Sequence, residues 1–327
     1  MTADRATLVA LSATHRTAGL DDRAAFAVPP AGVEAFYAAA REGGLAEAVL
    51  LATCNRLEAY AVGDEAAALT VRAALLRATG AEPEALDLHL RPIPGLAAVE
   101  HLFAVVAGLD SQMVGEVEIA GQVKDAYADA LARGMTGPVL NRVFQRAFQA
   151  AAWARTHTGI SHGHVSIGNV AVDLAERAFG ALADARVLVL GTGDVGRRVV
   201  QALVSRGAGH VAVASRTFEN ARLLAAEFGG AAVERALLDA ATLRTHAGRR
   251  HGRPLLLIDL GVPRNFDPAA RAVDGVYLSD LDDLAGVANA NLRARLAEVA
   301  TARAALAEKA ARAWGATRRP QPEAGSP

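Results

Sequence analysis

The chain of 327 residues is poor in several residue types that carry chemistry. It has one cysteine, Cys54, so an intramolecular disulfide and a cysteine-based zinc site are both excluded. Lysine is almost absent: Lys124 and Lys309 are the two, and arginine supplies the remaining basic charge. This bias reads as genome composition, and with a net charge of -1 it argues against strong non-specific affinity for nucleic acid while leaving room for a local basic face. Aromatic residues make up 5%. No apolar run approaches the roughly 20 residues needed to span a bilayer, and the N-terminus lacks the charged-then-apolar profile of a signal peptide. A cytoplasmic protein without membrane contact is expected. The histidines show no metal-ligand spacing, so no metal is expected.

The hydrophobic content of 52% and a charged content of 21% describe an ordinary globular chain, long enough for roughly two domains. The N-terminal part reads as a compact α+β module. Thr7–Leu11 is a strand, 33–41 a helix, Ala48–Ala52 an apolar strand, Tyr60–Val62 a short strand and 66–79 a helix. Helical spacing then dominates over 97–106, 115–133 and 139–156. A second module begins near Ser166, with a helix over 170–179 and strands at 186–190, 210–214, 255–260 and 275–278. One long helix is expected from Leu281 to about Trp314, followed by a Pro- and Arg-containing tail.

Two motifs carry chemistry. Gly191-Thr192-Gly193-Asp194-Val195-Gly196 follows a strand and opens a helix, the context in which a G-x-G-x-x-G run holds a dinucleotide pyrophosphate on a helix N-terminus. The next strand ends in Ser215-Arg216-Thr217 where an NAD site would carry Asp or Glu, so NADPH is expected, with Arg216 and two hydroxyls suited to a 2′-phosphate. The alternative is that Arg216 stacks on adenine or faces solvent. The other motif is Thr53-Cys54-Asn55-Arg56-Leu57-Glu58 at the end of a strand. A lone thiol is a buried filler or a nucleophile. Beside a nicotinamide site, a nucleophile points to reduction of an activated acyl group through a thioester. Arg56 either pairs with a substrate carboxylate or makes an ion pair with Glu58.

Thr53-Cys54-Asn55-Arg56-x-Glu58, His15-Arg16-Thr17, Gly108-Leu109-Asp110-Ser111, Gly115-Glu116, Gly121-Gln122-Val123-Lys124 and Phe144-Gln145-Arg146-Ala147-Phe148 together resemble glutamyl-tRNA reductase. Asp259-Leu260-Gly261-Val262-Pro263-Arg264 extends the similarity, which runs from about residue 7 to 315. The resemblance implies an α/β protein with an N-terminal catalytic domain over 1–158, a Rossmann-like NADPH-binding domain over 159–280, and a C-terminal helix and tail over 281–327. It implies NADPH-dependent reduction of glutamyl-tRNA to glutamate-1-semialdehyde, the entry to tetrapyrrole synthesis. Cys54 would be the nucleophile and His101 would assist proton transfer. Thr53, Asn55, Arg56, Ser111, Glu116, Val117, Glu118 and Gln122 match positions that hold the glutamyl group. Glutamate-1-semialdehyde aminomutase is an implied partner, and a homodimer is expected slightly ahead of a monomer.

Three departures from that family stand out. Glu116-Val117-Glu118 replaces the usual Glu-Pro-Gln. The stretch from Ala231 to Arg253 reads as short and helix-like, without a further strand. The family's C-terminal dimerisation domain is expected to be missing. A shikimate-dehydrogenase-like oxidoreductase and a non-catalytic paralogue that binds glutamyl-tRNA are the alternative readings.

Overall fold

The computed structural model describes residues 7–64, 66–161, 167–215, 217–233, 243–245, 254–261, 264–290 and 296–317. The chain divides into two compact units, one formed by 1–164 with 292–327 and the other by 165–291.

The first unit is built on a four-stranded antiparallel sheet of β1 (Thr7–Thr14), β2 (Glu47–Ala52), β3 (Arg56–Gly63) and β4 (Arg91–Pro94), in the order β2-β3-β1-β4. Every residue of β1 from Leu8 onward is buried. Because successive side chains point to opposite faces, both faces of the sheet are covered there. β4, with Pro92 and Pro94, takes an edge, where a missing N–H costs no ladder bond.

The helices around the sheet are α1 (Leu20–Ala25), α2 (Pro30–Glu42), α3 (Ala67–Thr79), α4 (Pro83–His89), α5 (Gly95–Val106), α6 (Glu118–Ala132) and α7 (Pro138–His157). Pro30, Pro83 and Pro138 each sit in the first turn of their helices, where the absent N–H is not missed. α3 and α5 pack on β1, α6 on β2, and α7 on β2 and β3.

The second unit begins with α8 (Ile167–Phe179). A parallel sheet of β5 (Arg186–Leu190), β6 (His210–Ala214) and β7 (Ala231–Val233) follows, connected by α9 (Asp194–Ser205) and α10 (Phe218–Phe228). β8 (Leu255–Asp259) and β9 (Val276–Asp280) form a parallel pair, after which comes α11 (Leu281–Ala290). β5 and β6 coincide with the apolar runs of the sequence; β6 is largely buried, whereas β5 leaves Leu188 41% exposed. β7 corrects the helix-like expectation for the start of 231–253: Ala231–Val233 pairs with Ala212–Ala214. Three residues are too few to show a period in sequence.

The long C-terminal helix is seen as α11 and α12 (Leu296–Thr317), with 291–295 outside the described residues. α12 packs on α5 and α7, burying Ala302, Leu306, Ala310 and Ala313 in the core of the first unit. Among the described residues no helix is long and apolar enough to cross a membrane.

Candidate active site

Cys54 lies in the tight connection between β2 and β3, closed by a hydrogen bond from the Thr53 N–H to the Arg56 carbonyl (2.9 Å). The Thr53 hydroxyl accepts from the Asn55 N–H (3.1 Å) and fixes the turn. The His15 N–H, just past β1, donates to the Asn55 carbonyl (3.0 Å) and ties the two chain reversals together. The thiol is half-buried and free. Burial pushes its pKa up to about 11; the Glu116 and Glu118 charges act in the same direction, and Arg23 opposes them.

Behind the turn sits a buried ionic cluster. Glu58, with no exposed surface, accepts from Ser12 Oγ (2.8 Å), Arg56 Nη1 (2.9 Å), Tyr60 Oη (2.7 Å) and, in the protonated imidazole, His101 Nε2 (2.9 Å). Burial works against ionisation of this carboxyl. The charges of Arg56 and His101 and the donated hydrogen bonds outweigh it and hold the pKa far below the usual carboxylate range. For His101 burial again opposes the charged form, and Glu58 overrides it, so the imidazole pKa is raised. Arg56 also donates to the Asp110 carbonyl (2.7 Å), and Asp110 receives Arg16 (3.1 Å).

Asp110 belongs to the 107–117 segment between α5 and α6. Gly108 adopts φ +75°, and a Cβ there would lie 2.3 Å from the Glu116 carbonyl oxygen, so the loop closes on itself only with glycine. The Gly115 N–H seals it on the Gly108 carbonyl (2.9 Å). Next to Asp110, Ser111 is 3% exposed and its hydroxyl has no partner among the described residues; the same holds for Asn55 Oδ1 and His15 Nδ1. These three unsatisfied polar atoms, on the Cys54 turn and the segments hydrogen-bonded to it through the Asn55 carbonyl and Arg56, mark a place where a polar ligand or ordered water is expected.

The second unit carries the glycine loop. Gly191 has φ +105°, and a Cβ on Gly196 would lie 2.4 Å from the Gly191 carbonyl oxygen, so α9 starts tight against the end of β5. Gly193, the residue before α9, has open space where a side chain would be, and no side chain caps the helix. The first N–H groups of a helix have no partner within it, so this end of α9 suits an anion. Thr192 Oγ1 and Ser215 Oγ are hydrogen-bonded (3.2 Å), joining the loops that follow β5 and β6, and Thr217 precedes α10. These residues fit a dinucleotide phosphate. Arg216 lies outside the described residues.

Residues 11–158 match the family model described as "Glutamyl-tRNAGlu reductase, N-terminal domain". Two stretches, 173–247 and 232–287, match "Shikimate / quinate 5-dehydrogenase". The chain is 36% identical over 312 residues to a glutamyl-tRNA reductase of Oleidesulfovibrio alaskensis, covering 89% of this chain and 69% of that protein. It is 37% identical over 313 residues to one from Geobacillus kaustophilus, covering 88% and 69%. The chain belongs to the glutamyl-tRNA reductase family.

A solved structure of the family, glutamyl-tRNA reductase from Methanopyrus kandleri, superposes with a TM-score of 0.55 at 34% identity, covering 94% of this chain and 80% of that one. Family membership makes the second unit a nucleotide-binding module.

Against that frame, Thr53, Cys54, Asn55, Arg56, His101, Ser111 and Glu116 all converge on one end of the β1–β3 sheet. Val117 is 43% exposed at the start of α6, and Gln122, one turn along, is half-buried without a hydrogen bond to the cluster. Arg56 is spent on Glu58 and the Asp110 carbonyl with its side chain 1% exposed, so of the two sequence readings the geometry is that of the ion pair. Gly191–Gly196, Ser215 and Thr217 share the β5–β6 end of the second unit. Sequence reading missed Arg23, a buried arginine on α1 whose charge reaches the thiol, and Ser12, Tyr60 and Asp110, which complete the Glu58 cluster. The alternation of β1 and β3 offered the signal: Ser12, Glu58 and Tyr60 are polar positions inside otherwise apolar strands.

Proposed function

We propose that the chain reduces glutamyl-tRNA to glutamate-1-semialdehyde, the first committed step of tetrapyrrole synthesis, with NADPH as reductant and Cys54 as nucleophile. The observation that carries the reading is a free, half-buried thiol in the β2–β3 turn, beside an Asn55 amide oxygen without a partner and next to the buried Glu58–Arg56–His101 cluster. An ester is already an activated acyl group, so a thiolate and a hydride suffice.

At neutral pH a thiol with a pKa near 11 is roughly one part in ten thousand thiolate, so the proton must leave on substrate engagement. Glu116, the carboxylate with the largest charge effect on the thiol, is assigned as its acceptor. The sulfur then attacks the ester carbonyl, the S–C bond forms, and the ribose oxygen departs with the proton returned from Glu116. Asn55 and Ser111 orient the glutamyl group, and His101, committed to Glu58 through Nε2, keeps Nδ1 for the substrate. Gly191–Gly196, Ser215, Arg216 and Thr217 would hold the dinucleotide, which when bound supplies the hydride that releases the aldehyde and frees the Cys54 sulfur. A second copy of the chain and the aminomutase that consumes the semialdehyde are the protein partners this reading implies.

Incubation of the intact protein with glutamyl-tRNA and each nucleotide tests it. Semialdehyde with NADPH, weaker turnover with NADH, and loss of that preference in Arg216→Ala are expected. Deacylation without aldehyde under every condition refutes the reductase reading.

A further inference from the structure

Among the described residues, several surface arginines are neutralised by a neighbouring carboxylate. Arg72 pairs with Asp87 (2.5 Å), Arg77 with Glu42 (2.5 Å), Arg133 with Glu34 (2.6 Å), Arg206 with Asp173 (2.9 Å) and Glu176 (2.8 Å), and Arg222 with Glu219 (2.6 Å). The outer face of α7 is different. Over Pro138–His157 the helix contains no Asp or Glu, while Arg142, Arg146, Arg155 and His157 are basic.

Its buried side, with Val143, Phe144, Ala147, Ala151 and Ala154, faces the core. At 100° per residue, the opposite stripe gathers Arg142, Gln145, Arg146, Gln149, Trp153 and His157. Gln145, Arg146, Gln149 and His157 are exposed; Arg142 and Trp153 are half-buried. Among the described residues neither Arg142 nor Arg146 meets a carboxylate: Arg142 donates to the Ala316 carbonyl of α12, and Arg146 to Gln149 Oε1 (3.1 Å).

α12 extends the face. Lys309 lies over the Trp153 ring at 4.3 Å, and Trp153 stacks on His157 with centroids 4.8 Å apart. The adjacent acid, Glu308, is taken up by Arg312. The inner side of α7 packs against the core of the first unit. Phe144 on its inner side meets Tyr60 edge-on at 5.8 Å, and Tyr60 donates to Glu58.

We infer that the outer face of α7, extended by Lys309 of α12, is the surface that takes the ribose–phosphate backbone of the tRNA. The inference rests on the proposed function for the identity of the RNA. Unpaired guanidinium groups release counterions when they meet phosphates, which carboxylate-paired ones do not do without first breaking an ion pair. Exposed glutamine amides suit phosphate and 2′-hydroxyl oxygens, contacts that position an RNA without reading its sequence. With no carboxylate on the helix, a polyanion meets no repulsion along it.

The test is binding of uncharged tRNA to the intact protein across a salt series, with single-turnover reduction of glutamyl-tRNA measured alongside. Three double variants are compared with the parent: Arg142→Gln/Arg146→Gln, the charge-keeping Arg142→Lys/Arg146→Lys, and Arg72→Gln/Arg77→Gln on α3. The first should weaken binding about fivefold or more near 0.1 M salt and flatten the log Kd against log salt slope by about 1.5. Its single-turnover rate at saturating RNA should not change. The lysine pair should keep the parent slope, which also shows that the helix still folds.

Unchanged affinity and slope in the glutamine pair, equal loss in the α3 pair, or no RNA binding by the parent overturns the surface. A parent that binds tRNA through this face yet forms no semialdehyde overturns the proposed function and leaves the surface standing.

Discussion

Replacing Arg56 by alanine separates two roles that its sequence position leaves open. As a substrate clamp its loss would cost binding and little stability. The structure puts the guanidinium fully inside, 2.9 Å from Glu58 Oε1 and 2.7 Å from the Asp110 carbonyl, with the residue 2% exposed. Arg56→Ala therefore takes the guanidinium from a carboxylate that has no exposed surface, leaving it Ser12, Tyr60 and His101, and removes the donor of a buried carbonyl. Truncating one partner of such a pair costs about 3–5 kcal/mol. At roughly 2–4 °C per kcal/mol for a unit of this size, the first unit should melt about 6–20 °C lower.

Removing the stranded charge as well, in Arg56→Met/Glu58→Gln, should recover more than half of that loss, because the two effects are coupled. Acid should narrow the contrast, because protonation of Glu58 relieves the stranded charge in Arg56→Ala and removes the ion pair in the parent. The Glu58 pKa is depressed in the fold, so its stabilisation is present above the unfolded carboxylate pKa and is lost only as pH falls through the much lower folded one. His101 carries the opposite sign: its pKa is raised, so its share is full below the unfolded histidine value and fades as pH rises through the folded one. Calorimetric melting of the intact chain from about pH 2 to about pH 9 reads both. A drop below 2 °C in Arg56→Ala at pH 7 would refute the buried-pair reasoning and return Arg56 to the substrate.

Alkylation of Cys54 by iodoacetamide should accelerate with pH toward about 11, and Glu116→Gln should shift the profile to lower pH by removing the largest carboxylate effect; an unmoved profile contradicts that assignment. Gly196→Ala puts a methyl 2.4 Å from the Gly191 carbonyl, so nucleotide affinity should fall at least about tenfold while Cys54 alkylation is unaffected, as titration of nucleotide fluorescence would show. Arg303 on α12 donates to the Leu109 carbonyl (2.6 Å), one residue from the carbonyl held by Arg56. Arg303→Ala should raise KM for glutamyl-tRNA severalfold through the loop bearing Ser111, and Arg303→Lys, which keeps one donor, should restore most of it.

How much of this was legible from the chain depended on the physics of each element. β5 and β6 could be read to the residue because each is a short, continuous apolar run that ends at a loop. β3 starts at Arg56, four residues before the expected Tyr60, because its polar residues turn inward to satisfy one another, and hydrophobic patterning is blind to an internal ion pair. α1 has six residues and β4 holds two prolines, so neither offered a period or a propensity to follow. The thiol turn and the glycine loop were visible because both need particular residues at fixed spacing. What Arg56 faces, and that Arg23 reaches Cys54, depend on contacts between segments far apart in sequence. No local pattern encodes those contacts.

The central claim is that Cys54 carries the glutamyl group. Mixing the protein with glutamyl-tRNA in the absence of nucleotide, quenching in acid and mapping peptides by mass spectrometry tests it most directly. The account predicts a glutamyl adduct on the peptide holding Cys54, cleared to semialdehyde when NADPH is added. Semialdehyde formation at the parent rate by Cys54→Ser, or an adduct on another side chain, would contradict it.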